Sequence, residues 1–179
     1  MAAFVTAFNR TIEREGGKVA HPNDPGGLTN HGISARAFPG EDIEHMTVER
    51  ARALYSECFW TPLLAYNYLT QSIANEMFDT AVNCGVPQAV KWLQRSLNLL
   101  YSCHPRLNHT ALAVDGGVGP RTLHALNNWC SMGPAYERQL LVLLDHYQLA
   151  HYIHLADTDA RFLVFLPGWI NHRINNEEV

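Results

Sequence analysis

The chain has 179 residues, enough for one compact domain or two small sub-domains sharing a core and too few for a large multi-domain machine. Hydrophobic residues make up 47% and charged residues 17%, so folding buries roughly two thirds of the surface exposed by the unfolded chain, which excludes disorder as the main state. Against 17 Asp and Glu stand 13 Lys and Arg, a formal net charge of -4, which lacks the basic excess that nucleic-acid binding demands.

Phe4, Val5, Phe8 and Ile12 recur at helical spacing while Asn9, Arg10, Glu13 and Arg14 take the other face, predicting an amphipathic helix that Gly16-Gly17 stops. From Lys18 to Gly40 the helical period vanishes, and Pro22, Asn23, Asp24, Pro25, Gly26, Gly27, Asn30 and Gly32 punctuate a loop or short hairpin. Strands are expected only between Lys18 and Ile33. Thr47 reads as an N-cap, with Ala51, Leu54, Tyr55 and Cys58 on one face of the following helix. The next helix runs from about Ser72 to Val82 and buries Ile73, Met77, Phe78 and Ala81, and Pro87 begins another carrying Val90, Trp92, Leu93, Leu97 and Leu100. Pro120 opens a helix with Leu123, Leu126 and Trp129, and Pro134 precedes a long apolar-periodic run through Leu155. A last helix contains Phe162 to Leu166, which Pro167-Gly168 bends or breaks before Trp169 to Ile174.

Apolar stretches such as Leu140 to Leu144 fall far short of the ~20 residues that span a bilayer, so membrane insertion is not expected. No secretory signal is visible at the start, and export would need another route. Cys58, Cys84, Cys103 and Cys130 form no Cys-x-x-Cys pair and read as free thiols, mostly buried. His146, His151 and His154 lack the H-E-x-x-H arrangement and a third ligand, which argues against zinc.

The densest set of chemical groups is Glu15-Gly16-Gly17 followed by Asn23-Asp24-Pro25-Gly26-Gly27-Leu28-Thr29-Asn30-His31-Gly32-Ile33. It puts one carboxylate at a helix end and a second in a glycine-rich turn, with Thr29 beside them. Glycosidic cleavage needs such a pair, an acid for the leaving oxygen and a carboxylate to activate water or stabilise an oxocarbenium-like centre. A helix C-terminus disfavours negative charge and pushes the pKa of Glu15 upward, as a general acid requires. The plainer alternative is a solvated helix-end charge followed by a good turn.

This run resembles the signature of glycoside hydrolase family 108, the phage and bacterial N-acetylmuramidases, E-G-G-Y-x-x-x-P-x-D-P-G-G-x-T-x-x-G-I, departing from it at Lys18 and Val19-Ala20. Met46-Thr47, Ala51, Tyr55 and Phe59-Trp60 are similar to a second stretch of the family, with His45 in place of its Asp, and Phe78-Asp79-Thr80-Ala81-Val82-Asn83-Cys84-Gly85 to a third. Trp92-Leu93-Gln94 and Asp115-Gly116-Gly117-Val118-Gly119-Pro120-Arg121-Thr122 resemble the predicted peptidoglycan-binding region that follows in these proteins.

The resemblance implies a mainly α fold, with a lysozyme-like half and a short β-hairpin and glycine-rich catalytic loop over residues 1–85, and a helical peptidoglycan-binding half over 86–179, packed as one unit. It implies cleavage of the β-1,4 bond between N-acetylmuramic acid and N-acetylglucosamine, with Glu15 as general acid, Asp24 as second carboxylate and Thr29 placing water. Gly26, Gly27 and His31 are candidate substrate contacts. Asp79 and Asn83 lie four apart on one helix and either reach a cleft floor or form a helix-to-helix polar lock. Asp115-Gly116-Gly117 is a binding turn or, preferably, the turn that starts a helix. Peptidoglycan strands and their stem peptides are the implied partners of a monomer acting in the periplasm, with no cofactor. The competing readings are a non-catalytic peptidoglycan-binding module and an export adaptor.

Overall fold

The computed structural model describes residues 2–15, 28–107 and 109–174, with the side chains of 12–15, 66 and 172 left aside. The chain is mainly α. Its principal helices are α1 (Phe4–Glu15), α2 (Val48–Tyr55), α3 (Thr61–Leu63), α4 (Gln71–Cys84), α5 (Val86–Ser102), α6 (Pro120–Ser131), α7 (Pro134–Thr158) and α8 (Leu166–Arg173). A small antiparallel hairpin of β1 (Thr29–Asn30) and β2 (Ile33–Ser34) follows α1, in the register Thr29↔Ser34 and Asn30↔Ile33.

Helix α4 is the axis of the fold and packs against α1, α5 and α7. Every residue from Ile73 to Ala81 is buried, including Asn75, Glu76, Asp79 and Thr80. Burying those polar groups is tolerable because each finds a partner. Asn75 Oδ1 accepts from Gln71 Nε2 at 2.8 Å, Thr80 Oγ1 donates to Glu76 Oε1 at 3.1 Å, and Asp79 is paired with Arg173. Gln71 also ties α4 to the start of α1, donating to the Ala3 carbonyl at 3.1 Å and accepting from the Ala3 amide at 2.6 Å.

Helix α1 buries Ala7, Phe8 and Thr11, whereas Val5, expected on the inner face, is 51% exposed. Phe4 and Phe8 set the phase by inserting among Tyr55, Trp60 and Phe78, with ring centroids 5.6–5.8 Å apart. The predicted stop at Gly16-Gly17 lies outside the described residues.

Thr47 caps α2, its Oγ1 accepting from the Arg50 amide at 3.2 Å, and Ala51, Leu54 and Tyr55 face the core as expected. Cys58 does not follow them inward. Ser56–Trp60 is a π-helix, with the Thr61 amide bonded to the Ser56 carbonyl, and its wider turn slips the helical phase so that Cys58 is exposed and Trp60 is buried instead. All four cysteines are free, but only Cys130 is fully buried, because Cys103 also sits outside, just beyond the end of α5.

Two prolines open helices as anticipated, Pro120 in α6 and Pro134 in α7. Pro87 falls in the first turn of α5, one position later than expected. At the other end, Phe162 to Leu166 is not a helix. Ala160–Phe162 is a 3-10 turn, and Pro167 lies in the first turn of α8, where its missing N–H leaves no bond unmade, so it begins that helix instead of breaking one.

The turn before α6 is locked onto α5 through Gln94, which is 1% exposed. Its Nε2 donates to Asp115 Oδ1 at 2.8 Å and to the Gly117 carbonyl at 3.0 Å, and its Oε1 accepts from the Gly116 amide at 3.0 Å. Of the two roles open to Asp115-Gly116-Gly117, the helix-starting turn is the one these bonds build. Gly116 has φ +85°, and an added Cβ would meet the Pro87 carbonyl oxygen at 2.9 Å. Gly116→Ala is therefore expected to destabilise the fold by about 1–3 kcal/mol. A denaturant midpoint unchanged from the parent protein would show that the turn relaxes freely.

Candidate active site

The described frame of the Glu15-to-Thr29 run is the end of α1, the hairpin and α4. Glu15 is the last residue of α1. Thr29 begins β1 and is half-buried, and His31 is half-buried at the hairpin tip. Asp24, Gly26 and Gly27 lie outside the described residues.

Two residues, His31 and Gly32, connect β1 and β2, and both have positive φ, 50° and 73°. That is the φ pattern of a type I′ turn, whose twist suits the flanking strands. Histidine is one of the few residue types enriched in this left-handed region, which accommodates His31 beside the glycine. The hairpin is then bolted down from two sides. Asn30 Nδ2 donates to the Ile43 carbonyl at 3.1 Å in a buried bond, and Tyr55 Oη donates to the His31 carbonyl at 3.3 Å.

Tyr55 is fully buried and also packs on Phe8 of α1 and Phe78 of α4. One ring thus joins all three elements of the frame. The sequence marked Tyr55 as an inward helix position, but nothing local to it announced the hydrogen bond to a hairpin 24 positions earlier.

Asp79 and Asn83 sit one turn apart on α4. Asp79 Oδ1 accepts from Arg173 Nη1 of α8 at 2.8 Å, and both side chains are almost excluded from solvent, at 3% and 8%. Asn83 Nδ2 donates to the Asp79 carbonyl at 3.0 Å. Asp79 thus forms a helix-to-helix lock, whereas the Asn83 bond stays within α4. Arg173 went unnoticed in the sequence, where it is one basic residue in a polar C-terminal stretch.

Two of the thiols, Cys84 beside Asp79 and Cys130 on α6, are poor nucleophiles. Burial pushes Cys84 up to about 12, with the Asp79 carboxylate adding to the effect, and burial raises Cys130 to about 12 as well. Thiolate catalysis needs the opposite shift. Among the described residues, no group of three or more His, Cys, Asp or Glu is placed to hold a metal ion, and no helix is long and apolar enough to cross a membrane.

Residues 8–85 match the family model described as glycosyl hydrolase 108, and residues 88–174 match a model described as a predicted peptidoglycan domain. The N-terminal half belongs to glycosyl hydrolase family 108. The two matches together support a glycoside hydrolase that engages peptidoglycan. The first match spans the end of α1, the hairpin, the π-helix and α4, and the second takes in α5 to α8. Among solved structures, that of SagA from Brucella abortus is similar, with a TM-score of 0.70 and 26% identity, covering 94% of this chain and 87% of that one. The comparison with curated proteins gave no match.

Within this family setting, Asp79 and Asn83 belong to the half that matches the hydrolase, while Arg173 comes from the half that matches the peptidoglycan domain. The Asp79–Arg173 pair therefore stitches the two matched regions together across 94 positions of sequence.

Proposed function

We propose that this chain is an N-acetylmuramidase that cuts the β-1,4 bond between N-acetylmuramic acid and N-acetylglucosamine in peptidoglycan, with Glu15 as general acid. What carries the reading is the family match over residues 8–85, which takes in the whole Glu15-to-Thr29 run. Protonation of the leaving oxygen by Glu15 lowers the barrier to departure, and Asp24 activates water or stabilises the oxocarbenium-like centre on the other side of the sugar. Thr29, held at the start of the hairpin, places the water. Gly26, Gly27 and His31 bring backbone and ring atoms close to the saccharide, while Asp79 and Asn83 hold the cleft floor, the first through its bond to Arg173. The chain acts as a monomer in the periplasm, residues 1–85 supplying catalysis and 86–179 the grip on peptidoglycan.

The test is digestion of purified sacculi, with borohydride reduction before mass spectrometry of the soluble fragments. Reduced muramic acid ends are expected. Reduced N-acetylglucosamine ends would make the protein a glucosaminidase, and anhydro ends a lytic transglycosylase. No fragments from a folded, sacculus-binding protein would favour the non-catalytic module.

A further inference from the structure

Away from the Glu15-to-Thr29 run, an open cavity of about 450 Å³ lies between α5, α6 and the segment that joins them. That volume falls in the usual range for small-ligand sites, roughly 300–1,000 Å³. Arg121, His124 and Asn128 recur at helical spacing and form a polar ridge along one side of α6, all three exposed. Across from them His109 stacks on Tyr101, with ring centroids 4.0 Å and planes 18° apart, and Leu112 adds apolar surface.

The polar groups of this cavity are only partly used within the protein. Tyr101 is fixed, its hydroxyl donating to the Ala125 carbonyl at 2.9 Å. Arg121 Nη2 donates to the Ala111 carbonyl at 3.4 Å, a long bond that takes one of the five donors of a guanidinium. His109 Nε2 is buried and has no hydrogen-bond partner among the described residues. His124 Nε2 lies 2.9 Å from Asn128 Nδ2, an amide nitrogen that donates, so the ring's other nitrogen carries the proton in its neutral form. No carboxylate lines the cavity among the described residues. Burial, then the neighbouring Arg121 guanidinium and His124 ring, lower the pKa of His109 from its ordinary value.

We infer that this cavity is a subsite for a carboxylate of the peptidoglycan stem peptide, with Arg121 as its fork and the His109–Tyr101 stack as its apolar wall. The inference rests on the peptidoglycan assignment of the C-terminal half. The glycan backbone is neutral, and the lactyl carboxyl of muramic acid is consumed in the amide that attaches the peptide, so the carboxylates of an intact strand are on its peptides. A guanidinium binds a carboxylate through two parallel N–H donors, a geometry that a neutral sugar hydroxyl does not match. The His109 ring, stacked on Tyr101, gives that ligand its flat wall.

The experiment titrates the full chain with three probes by calorimetry: the tripeptide L-Ala-γ-D-Glu-L-Lys, the same tripeptide with its carboxyls amidated, and chitotetraose. The free-acid tripeptide is expected to bind, the amidated form at least about tenfold more weakly, and Arg121→Gln to weaken the free acid by about the same factor, as for loss of a charge-assisted pair. Arg121→Lys should recover part of the affinity, and chitotetraose should not distinguish Arg121→Gln from the parent. Because Arg121 and His124 are exposed on α6, thermal melts should be unchanged, and His124→Gln gives a second reading of the same ridge. Equal tripeptide affinity in parent and Arg121→Gln overturns the inference, as does equal affinity for the acid and the amide, or no tripeptide binding by a protein that still digests sacculi. Failure to bind or digest sacculi at all would instead sink the muramidase reading, and the tripeptide titration would still report on the cavity itself.

Discussion

Replacing Asp79 by Ala is expected to lower the unfolding free energy by about 3–5 kcal/mol, the usual cost of removing one partner of a buried ion pair. The Arg173 side chain is 8% exposed and donates to Asp79 Oδ1 at 2.8 Å. Without the carboxylate, the guanidinium loses the partner it meets at 2.8 Å and must rely on the groups that remain around it or pull α8 away from α4 to reach water. At roughly 2–4 °C per kcal/mol for a chain of this size, the melting temperature falls by on the order of 10 °C. Removing both charges with Asp79→Leu and Arg173→Met should recover much of the loss, because the desolvation cost disappears together with the attraction. A single-mutant loss under about 1 kcal/mol would show that Arg173 reaches solvent at little cost. The same residue separates a structural role from contact with sugar. If Asp79 only locks the helices, Asp79→Asn assayed well below its melting temperature keeps the parent KM, whereas direct contact with saccharide raises it.

That pair also marks where sequence reasoning ends. Helical periodicity located α4 and its apolar residues because the signal is local, and four inward positions, Ile73, Met77, Phe78 and Ala81, are all fully buried. The carboxylate of Asp79 sits among them, and its partner lies 94 positions away on a helix whose start was itself misjudged. No local pattern encodes such a contact. Cys58 failed for a different reason. An α-helical period places it inward, but the segment forms a π-helix, and a one-residue widening of the turn is invisible in composition. Pro167 can end one helix or begin the next, and only the presence of the 3-10 turn at Ala160–Phe162 decides between them.

The hairpin lay at the edge of what the sequence could show. Asn30-His31-Gly32 is a weaker turn signal than Asn-Gly, and the turn forms because His31 accepts the left-handed conformation while Tyr55 holds its carbonyl. The family of the Glu15-to-Thr29 run was legible as a motif, since carboxylates, glycines and a threonine at fixed spacing are a local property. The cavity beside Arg121 was not, because its walls come from α5, α6 and the segment between them, and only folding brings Tyr101, His109 and Arg121 together.

Glu15→Gln is expected to reduce turnover of sacculi by a factor on the order of 100 or more, the contribution of a positioned general acid. The substitution keeps the length of the side chain and its ability to hydrogen-bond, and removes only the proton that the leaving oxygen needs. Sacculus binding and the melting temperature should therefore stay near those of the parent protein, so that the loss appears in kcat and not in KM. The pH profile supplies a second readout. A general acid works in its protonated form, so the parent kcat falls as pH rises through the pKa of that group, and the residual activity of Glu15→Gln should lack this alkaline limb. Asp24→Asn removes the other carboxylate and should also lower kcat, but it leaves the alkaline limb in place because Glu15 still titrates. Activity of Glu15→Gln within about threefold of the parent would sink the assignment of the acid, and an alkaline limb that vanishes in Asp24→Asn instead would move that role to Asp24.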